Sequence, residues 1–260
     1  MRQSWRPALA LMDQSPINGY VQKQMLKTAY EAHDQRYRNL KASGHAGWGG
    51  EKLAERMQGW EREVEALLAF PLFAKRAMIL ELGCGAGDSL LPIAKKGHAV
   101  VGVDVSLTAV EWARLKFGRS GLSGEFVAAD LSRPWPFASQ QFDAVVDACC
   151  LHCIIGSDRE LFLREARRVL KPGGMFMASC MIGEPKDAAS ATAIGYDPLT
   201  RCQIVDEITY RYMSTPDGLL SELRDAGFET LKHSVNVSPG WDHMTVFARV
   251  NERSQSQDLG

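Results

Sequence analysis

The chain has 260 residues, which suits one large α/β domain or one domain with a terminal extension. Hydrophobic residues make up 45% of it and charged residues 23%, as is typical of a globular protein. Its 30 Lys and Arg residues nearly balance its 31 Asp and Glu residues, so no broad positive charge attracts phosphate backbones and we expect no nucleic-acid partner.

Neither a membrane span nor a disulfide framework is expected. The longest apolar stretch, 144–156, is interrupted by Asp147 and His152, and it is shorter than the about 20 residues that a bilayer requires. The apolar run at 8–12 is too short for the core of a signal peptide. Six cysteines in a chain of this length do not resemble a disulfide scaffold. We therefore expect a cytoplasmic protein without a membrane partner.

Two helices are predicted before residue 77. They cover 17–40 and 51–70, and a glycine-rich break at 44–50 separates them. Apolar residues recur in the second helix at spacings of three and four, which gives a stripe that must pack on another element. The stripe consists of Leu53, Met57, Trp60, Val64, Leu67 and Leu68. Residues 1–76 are therefore predicted to form an N-terminal helical cap.

Short apolar runs alternate with helical patterns between residues 77 and 181. The predicted strands cover 77–82, 99–104, 124–129, 142–148 and 174–181. The predicted helices cover 88–96, 107–117 and 158–170. Repeated strand–helix–strand units of this kind favour a parallel sheet with helices on both faces.

The C-terminal part follows a different pattern. An insert at about 183–214 precedes a helix predicted over 215–226, and Gly227 ends that helix. Two β-rich segments, 228–237 and 243–250, are joined by a connection too short for a crossover helix, so they should pair antiparallel. The predicted fold class is α/β, with a seven-stranded, mostly parallel, doubly wound sheet, an antiparallel last strand and the N-terminal helical cap. The α/β domain that contains this sheet should span 77–250, and 251–260 should be a polar tail.

The most informative motif follows the first predicted strand of the sheet and runs from Glu81 to Gly87. Its glycines let the backbone turn tightly and approach a ligand closely. The spacing is G-x-G-x-G, which differs from the G-x-G-x-x-G of dinucleotide-binding proteins. A carboxylate two positions before the first glycine would repel a pyrophosphate but attract an ammonium or sulfonium group. The motif therefore favours a cationic cofactor.

This motif resembles the first motif of class I, Rossmann-like S-adenosylmethionine-dependent methyltransferases of the small-molecule type. Four further segments resemble the family's pattern in the same order, at 101–104, 128–131, 142–147 and 168–174. The resemblance implies that the cofactor is S-adenosylmethionine. The cofactor-binding residues that it implies are Glu81, Gly83, Cys84, Gly85, Gly87, Asp104, Val105, Asp130, Leu131 and Asp147.

The resemblance also implies roles for two of the acids. Asp104 ends a strand on the carboxyl edge of the sheet, where ligands of open α/β sheets bind, and it should accept hydrogen bonds from the ribose hydroxyls. Asp130 should contact the adenine amino group. Cys84 should fill the space between two glycines and contact the cofactor through its backbone.

The sequence defines catalysis and acceptor binding less sharply. His152, after the fourth strand of the sheet, is a candidate general base, with a packing role as the alternative. Tyr37 is a second catalytic candidate. The family builds its acceptor pocket from N-terminal helices and the insert after the fifth strand, and the segment 32–37 resembles the N-terminal segment of small-molecule methyltransferases. The pocket candidates on these segments are Tyr30, Arg36, Trp48, Tyr196 and Arg211.

Clustered aromatic and cationic residues in the insert favour a lid over a partly aromatic, anionic acceptor. The alternative is that the first helix is an ordinary amphipathic helix and that the insert is a surface loop. No metal site is expected: the C-x-x-C at 150–153 lacks a second ligand pair, and no Asp-Asn pair follows the fifth strand.

The expected reaction is an in-line transfer of a methyl group to an O, N or S atom of a small-molecule acceptor. Two alternatives stay open. One is an enzyme that uses the same cofactor without methyl transfer, by cyclisation or aminocarboxypropyl transfer. The other is a non-catalytic binding module. The resemblance also allows a homodimer.

Overall fold

The computed structural model describes residues 27–30, 32–238 and 241–251. The helices are α1 (Ala32–Ala42), α2 (Leu53–Leu68), α3 (Leu90–Lys95), α4 (Leu107–Arg119), α5 (Asp158–Val169), α6 (Ala188–Ile194) and α7 (Pro216–Asp225). The strands are β1 (Lys27–Thr28), β2 (Met78–Leu82), β3 (Ala99–Asp104), β4 (Glu125–Ala128), β5 (Phe142–Ala148), β6 (Leu170–Ile182), β7 (Tyr196–Asp197), β8 (Cys202–Val205), β9 (Ile208–Tyr212), β10 (Phe228–Asn236) and β11 (Asp242–Val250). Short 3₁₀ turns lie at Gly50–Lys52, Pro71–Ala74 and Leu151–Cys153.

Seven strands form the main sheet in the order β10-β11-β6-β5-β2-β3-β4. Strands β2 to β6 pair with one another in parallel, whereas β11 is antiparallel to both β6 and β10. The prediction of a seven-stranded, mostly parallel sheet with one reversed strand near its end is confirmed. The reversal arises because β10 and β11 form a hairpin, which turns the chain back after β10.

Both faces of the main sheet are covered by helices. The residues of β2 alternate between two apolar cores, with Ile79 in the core that contains α2, α3 and α4, and Leu80 in the core that contains α5 and α7. This explains why the parallel strands are apolar almost throughout, since neither face meets water. The predicted stripe of α2 is buried at Val64 and Leu67.

The N-terminal part differs from the prediction. The first helix is predicted over 17–40, but Lys27–Thr28 form strand β1 and the helix begins at Ala32, so the prediction is wrong at 27–28. The stretch 17–26 lies outside the described residues. Strand β1 pairs in parallel with β9, with Lys27 opposite Ile208. The helical pattern fails here because a partner far along the chain supplies the backbone hydrogen bonds.

The insert at 183–214 contains a helix and three strands, so the alternative of a surface loop is wrong for this segment. After the short helix α6, its strands β7, β8 and β9 form with β1 a second sheet in the order β1-β9-β8-β7. Strand β9 packs against the 3₁₀ turn Leu151–Cys153, which follows β5. The insert therefore lies beside the carboxyl edge of the main sheet. Across the described residues, no helix is both long and apolar enough to cross a membrane.

Candidate cofactor and acceptor site

The loop after β2 carries Gly83, Gly85 and Gly87 along the carboxyl edge of the main sheet. Their φ angles are 65°, 52° and 79°, a region in which L side chains are strained. A Cβ at Gly83 would also lie 2.8 Å from the Cβ of Cys150, and one at Gly85 would collide with the Tyr37 hydroxyl. The glycines are therefore required both by the turn and by two segments that approach it closely.

The cysteines around this loop act as packing groups. Cys84 is buried, and its backbone N–H donates to the carbonyl of Val103 over 3.0 Å. Burial raises the pKa of the Cys84 and Cys150 thiols well above their usual range, so neither is a ready nucleophile. Among the described residues, no group of three or more His, Cys, Asp and Glu side chains is arranged to hold a metal ion.

Asp104, at the end of β3, joins the glycine loop from the neighbouring strand. Its Oδ2 accepts from the N–H of Gly85 over 2.9 Å, and its Oδ1 accepts from the N–H of Ser106 over 2.8 Å. Burial raises the pKa of this carboxyl to about 6, although both hydrogen bonds oppose the shift. Each ionised oxygen keeps further acceptor capacity. The group can therefore accept two more hydroxyl hydrogen bonds, as a ribose diol would require. Val105 continues the chain from this point.

Glu81 lies beneath the glycine loop and is 1% exposed. Its Oε1 accepts a hydrogen bond from the Ser89 hydroxyl, whereas its Oε2 is buried and has no partner among the described residues. Burial raises the pKa of Glu81 well above its usual range, and the charge of Asp88 raises it further. Leaving such an oxygen unpaired costs about 1–3 kcal/mol. A cationic ligand group would provide the missing partner.

Asp130 and Leu131 follow β4, the strand beside β3. Leu131 is buried in the core, whereas Asp130 is partly exposed and accepts from the N–H of Ser132 over 2.8 Å. The N–H of Ala129 donates to the carbonyl of Asp104 over 3.0 Å, which ties the two strand ends together. The structure thus brings Asp104 and Asp130 to neighbouring positions on the carboxyl edge of the main sheet.

Asp147 has a different environment, because its side chain is fully buried. Its Oδ1 accepts from the N–H groups of Cys150 and Leu151 over 2.6 and 3.0 Å, and its Oδ2 accepts from the thiol of Cys180 over 3.5 Å. Burial raises the pKa of this carboxyl to about 6. Both oxygens are thus used inside the protein. This geometry supports a role in shaping the turn after β5 and not the predicted contact with the cofactor.

Helix α1 closes the site from the N-terminal side. The Oδ1 of Asp34 accepts from the Ser106 hydroxyl over 2.7 Å and from the N–H of Thr108 over 3.0 Å, which fixes α1 to the start of α4. Tyr37 is buried over the glycine loop, and its ring centroid lies 5.0 Å from that of Trp48. The exposed Arg36 stacks over the same Trp48 ring at 4.5 Å.

The Tyr37 hydroxyl stays protonated at neutral pH. Burial raises the pKa of Tyr37 well above its usual range, and the charge of Asp104 raises it further. A phenol in this state donates hydrogen bonds and does not remove protons. The predicted catalytic role of Tyr37 is therefore better described as positioning and covering the cofactor loop.

His33 is a site residue that we did not single out from the sequence. It lies one turn before Tyr37 on the same face of α1, with its ring centroid 5.5 Å from that of Trp48. Its Nδ1 lies 3.3 Å from the carbonyl oxygen of Tyr30. Because a carbonyl only accepts, Nδ1 carries the proton and Nε2 keeps a lone pair in the neutral ring. The sequence feature that could have identified His33 is its spacing of four residues from Tyr37, which places both side chains on one face of a helix.

The pKa of His33 is lowered by burial, and the charges of Arg211 and Arg36 lower it further, although the hydrogen bond to Tyr30 opposes them. The ring is therefore neutral at physiological pH. A neutral imidazole with an unprotonated nitrogen has the state that a general base needs.

His152 has the opposite tautomer. Its Nδ1 accepts from the backbone N–H of Met181 over 3.3 Å, so the proton of the neutral ring lies on Nε2. Burial lowers the pKa of His152 well below its usual range, and Arg211 lowers it further. The ring can donate a hydrogen bond but has no unprotonated nitrogen available as a base. This geometry supports the packing alternative for His152.

Two of the predicted pocket residues share one face of the insert sheet. Gln203 is paired across the sheet with Tyr196 on one side and with Arg211 on the other, and opposite residues project to the same face. The Nη1 of Arg211 donates to the Oε1 of Gln203 over 2.6 Å. Tyr30, in contrast, uses its hydroxyl internally, where it accepts from the N–H of Ile155 over 2.9 Å.

Comparison with known proteins agrees with this geometry. A family model described as a methyltransferase domain matches residues 79–174. The chain is 30% identical over 170 residues to a protein of Cereibacter sphaeroides named ubiquinone biosynthesis O-methyltransferase, a match that covers 64% of this chain and 66% of the relative. A protein of the same name from Chelativorans sp. is 32% identical over 153 residues, with 58% of each chain covered. The chain thus spans less than two thirds of these relatives.

Among solved structures, the chain is similar to a Burkholderia thailandensis 1,6-didemethyltoxoflavin-N1-methyltransferase with bound 1,6-didemethyltoxoflavin and S-adenosylhomocysteine. The TM-score is 0.62 and the identity 23%, with 86% of this chain and 92% of that chain covered. At this identity the likeness concerns the fold.

Proposed function

We propose that the chain is a class I S-adenosylmethionine-dependent methyltransferase, as the methyltransferase domain matched at residues 79–174 supports, and that it transfers the methyl group of this cofactor to an oxygen atom of a small molecule. The observation that carries the proposal is the buried Oε2 of Glu81 beneath the glycine loop, which has no partner among the described residues. Oxygen as the attacked atom is supported by the names of the relatives, which are O-methyltransferases, and by the protonation state of His33.

The residues at the edge of the sheet fit the chemical groups of the cofactor. The glycine turn leaves the backbone open to close approach, and Asp104 has acceptor capacity for the ribose hydroxyls. Glu81 would face the cationic methionine part, and the partly exposed Asp130 would accept from the adenine amine. When bound, the cofactor supplies an activated methyl group, so no covalent enzyme intermediate is needed.

The protein's own residues would orient the acceptor and exclude water. Helix α1 with Tyr37 and Trp48 forms one wall of the site, and the insert sheet beside the turn Leu151–Cys153 forms another. Holding two reactants in line can contribute about 7–11 kcal/mol to the lowering of the barrier. We expect this alignment to provide the larger part of the rate enhancement.

Methylation of a hydroxyl also requires that its proton be removed, and we propose His33 as the general base. The proton would pass from the acceptor hydroxyl to the unprotonated Nε2, while Nδ1 stays hydrogen-bonded to the carbonyl of Tyr30. A positioned base contributes typically ~10²–10⁴ to the rate. His152 is not proposed, since its Nδ1 is occupied by the N–H of Met181.

The test begins with binding and continues with product analysis. Calorimetry with S-adenosylmethionine and S-adenosylhomocysteine should show uptake of both. Incubation with S-adenosylmethionine and a panel of phenols, thiols and amines should yield S-adenosylhomocysteine and an O-methylated product in equal amounts. Methylthioadenosine in its place would indicate aminocarboxypropyl transfer. Uptake without turnover on any acceptor would indicate a non-catalytic module, and absence of uptake would overturn the proposal.

We also propose a cytoplasmic location, because the six cysteines are free thiols, as is usual in a reducing compartment. A homodimer stays a prediction from the resemblance alone. Light scattering on the purified protein, with and without S-adenosylhomocysteine, measures the oligomeric state directly.

A further inference from the structure

Arg211 of the insert sheet is a cation that forms no ion pair with any carboxylate among the described residues. Its Nη1 donates to Gln203, but its Nε is buried and has no partner within the described part of the chain. Two other arginines of limited exposure are paired with a carboxylate: Arg159 pairs with Glu222 at 2.6 Å, and Arg201 pairs with Glu184 at 2.9 Å. Burying a donor next to a positive charge without a partner is costly. The missing partner at Arg211 therefore points to a ligand.

The surroundings of Arg211 place it at the acceptor side of the site. Its charge acts on His33 of α1 and on both His152 and Cys153 of the turn after β5, so it lies near all three. The charges with the largest effects on His152 are those of Arg211, His243, Arg159 and Arg56, which are all basic residues. The neighbouring Cys153 is affected both by Arg211 and Arg159 and by the carboxylates of Asp147 and Asp104. Basic groups therefore predominate around His152, whereas Glu81, Asp104 and Asp130 make the edge of the sheet acidic.

The face of the insert sheet that carries Arg211 also carries a second group without a partner among the described residues. Tyr196, across Gln203 from Arg211, has a buried hydroxyl with no partner among the described residues, and its ring lies 5.9 Å from that of Trp241. Two unpaired donors on one face of a short sheet, at Arg211 and Tyr196, are better explained by a missing ligand than by separate packing defects.

We propose that Arg211 binds a carboxylate of the acceptor, so that the enzyme methylates a small aromatic hydroxy acid. The inference rests on the proposed function, because it names the substrate class for the same site. With Nη1 held by Gln203, the Nε–Nη2 edge of the guanidinium is left for the ligand, and this planar edge matches a carboxylate with two parallel hydrogen bonds. The hydroxyl at the other end of such a molecule would face His33.

The test compares acids with their uncharged amides. The probes are benzoate, 4-hydroxybenzoate and 3,4-dihydroxybenzoate, each paired with the corresponding benzamide. Calorimetry is done on the free protein and on the protein saturated with S-adenosylhomocysteine. We expect at least one acid to bind about tenfold more tightly than its amide. Equal binding within every pair, or no binding of any of the six compounds at millimolar concentration, overturns the proposal.

Variants then assign the preference to one residue. Arg211→Gln should remove the preference for the acid, and Arg211→Lys should lose most of it, because an ammonium cannot present the planar edge. Arg119→Gln, at an exposed arginine at the end of α4, is the matched control and should keep the wild-type preference. A preference that survives in Arg211→Gln overturns the proposal. If Arg211→Gln fails to fold, the charge-conserving Lys variant carries the test.

The two proposals fail in different ways. Failure of the proposed function appears as absence of S-adenosylhomocysteine uptake before any probe is added. Failure of the carboxylate assignment appears as normal uptake of S-adenosylhomocysteine together with equal affinities for acid and amide.

Discussion

The backbone N–H of Gly85 donates a hydrogen bond to the Oδ2 of Asp104 over 2.9 Å. This bond joins the glycine turn after β2 to the end of the neighbouring strand β3. The two segments are predicted separately from the sequence, and in the structure they are parts of one unit. The acid that should bind the ribose therefore also fixes the conformation of the turn that should face the cofactor.

Replacing Asp104 should weaken cofactor binding strongly. In Asp104→Asn the side-chain shape is kept, but one oxygen becomes an NH₂ group that cannot accept, so hydrogen bonds to the ribose or to Gly85 are lost. We expect S-adenosylhomocysteine to bind about 10- to 100-fold more weakly, which corresponds to about 1.4–2.7 kcal/mol. Calorimetry measures the affinity, and Asp225→Asn at the exposed end of α7 is the control. Unchanged affinity in Asp104→Asn would remove this residue from the site.

Cofactor binding should weaken at acid pH. The pKa of Asp104 in the free protein is raised to about 6 by burial, and only the ionised carboxylate can accept hydrogen bonds with both oxygens. Affinity for S-adenosylhomocysteine should therefore be constant above this pKa and fall by up to about tenfold per pH unit below it. Titrations between pH 5 and pH 8 on the wild type and Asp104→Asn isolate this contribution. A difference between the two proteins that does not change with pH would contradict the prediction.

A side chain at Gly85 should both strain the turn and displace Tyr37. We expect Gly85→Ala to lower the free energy of unfolding by about 1–3 kcal/mol and to impair cofactor binding. Gly121→Ala is the matched control, because Gly121 also has a positive φ of 65° but has no atom within 4 Å of the added Cβ. It should show the conformational strain alone.

The double variant Gly85→Ala/Tyr37→Phe tests whether the collision with the hydroxyl contributes. Removal of the hydroxyl should recover part of the lost stability, which would appear as non-additivity in a urea-denaturation cycle. Strict additivity would show that the two residues do not touch.

The two histidines should respond differently to mutation. His33→Asn should lower kcat by about 10²–10⁴-fold and leave the affinity for S-adenosylhomocysteine unchanged, because the ring acts on the acceptor. His152→Gln should lower thermal stability and have a smaller effect on kcat, because His152 accepts from the N–H of Met181. The reverse pattern would restore His152 as the base.

The pH profile gives an independent test of His33. The base must be unprotonated, and its pKa is lowered from about 6.5 by burial and by Arg211. kcat/KM should therefore rise with pH at acid pH and become constant before neutrality. In Arg211→Gln one cause of the lowered pKa is absent, so the rise should shift to higher pH. An unshifted profile would show that Arg211 does not act on the base.

Cofactor binding should release protons from Glu81. Burial holds the pKa of this carboxyl well above its usual range in the free protein, and a bound cationic group would favour the ionised form. Calorimetry in two buffers with different ionisation enthalpies measures the protons released. Glu81→Gln should abolish that release and weaken binding of S-adenosylmethionine, whereas Glu125→Gln on the exposed end of β4 should change neither. Equal proton release in wild type and Glu81→Gln would contradict this assignment.

The elements that were predicted well are those whose pattern is local. The glycine turn is recognisable because positive φ angles restrict Gly83, Gly85 and Gly87 to the residue without a Cβ. The parallel strands are recognisable because burial on both faces makes them apolar throughout, as at Ile79 and Leu80. The order of these elements along the chain was enough to predict the seven-stranded sheet.

The elements that were predicted poorly depend on distant partners. Lys27–Thr28 were placed in a helix, but their backbone pairs with β9 of the insert. The protonation states of His33 and His152 depend on which backbone group each Nδ1 meets, a carbonyl at Tyr30 or an N–H at Met181. No spacing rule in the sequence carries that information.

The sequence by itself determined the cofactor class and the sheet, because glycine conformation and apolar periodicity are properties of neighbouring residues. The tertiary structure decided which side chains serve chemistry. It engaged both oxygens of Asp147 in internal hydrogen bonds and left Oε2 of Glu81 and Nε of Arg211 without partners among the described residues. It also brought His33 near Arg211 of the insert. Hydrogen-bond satisfaction is fixed only when segments far apart in the chain meet, so these distinctions appear only in the folded protein.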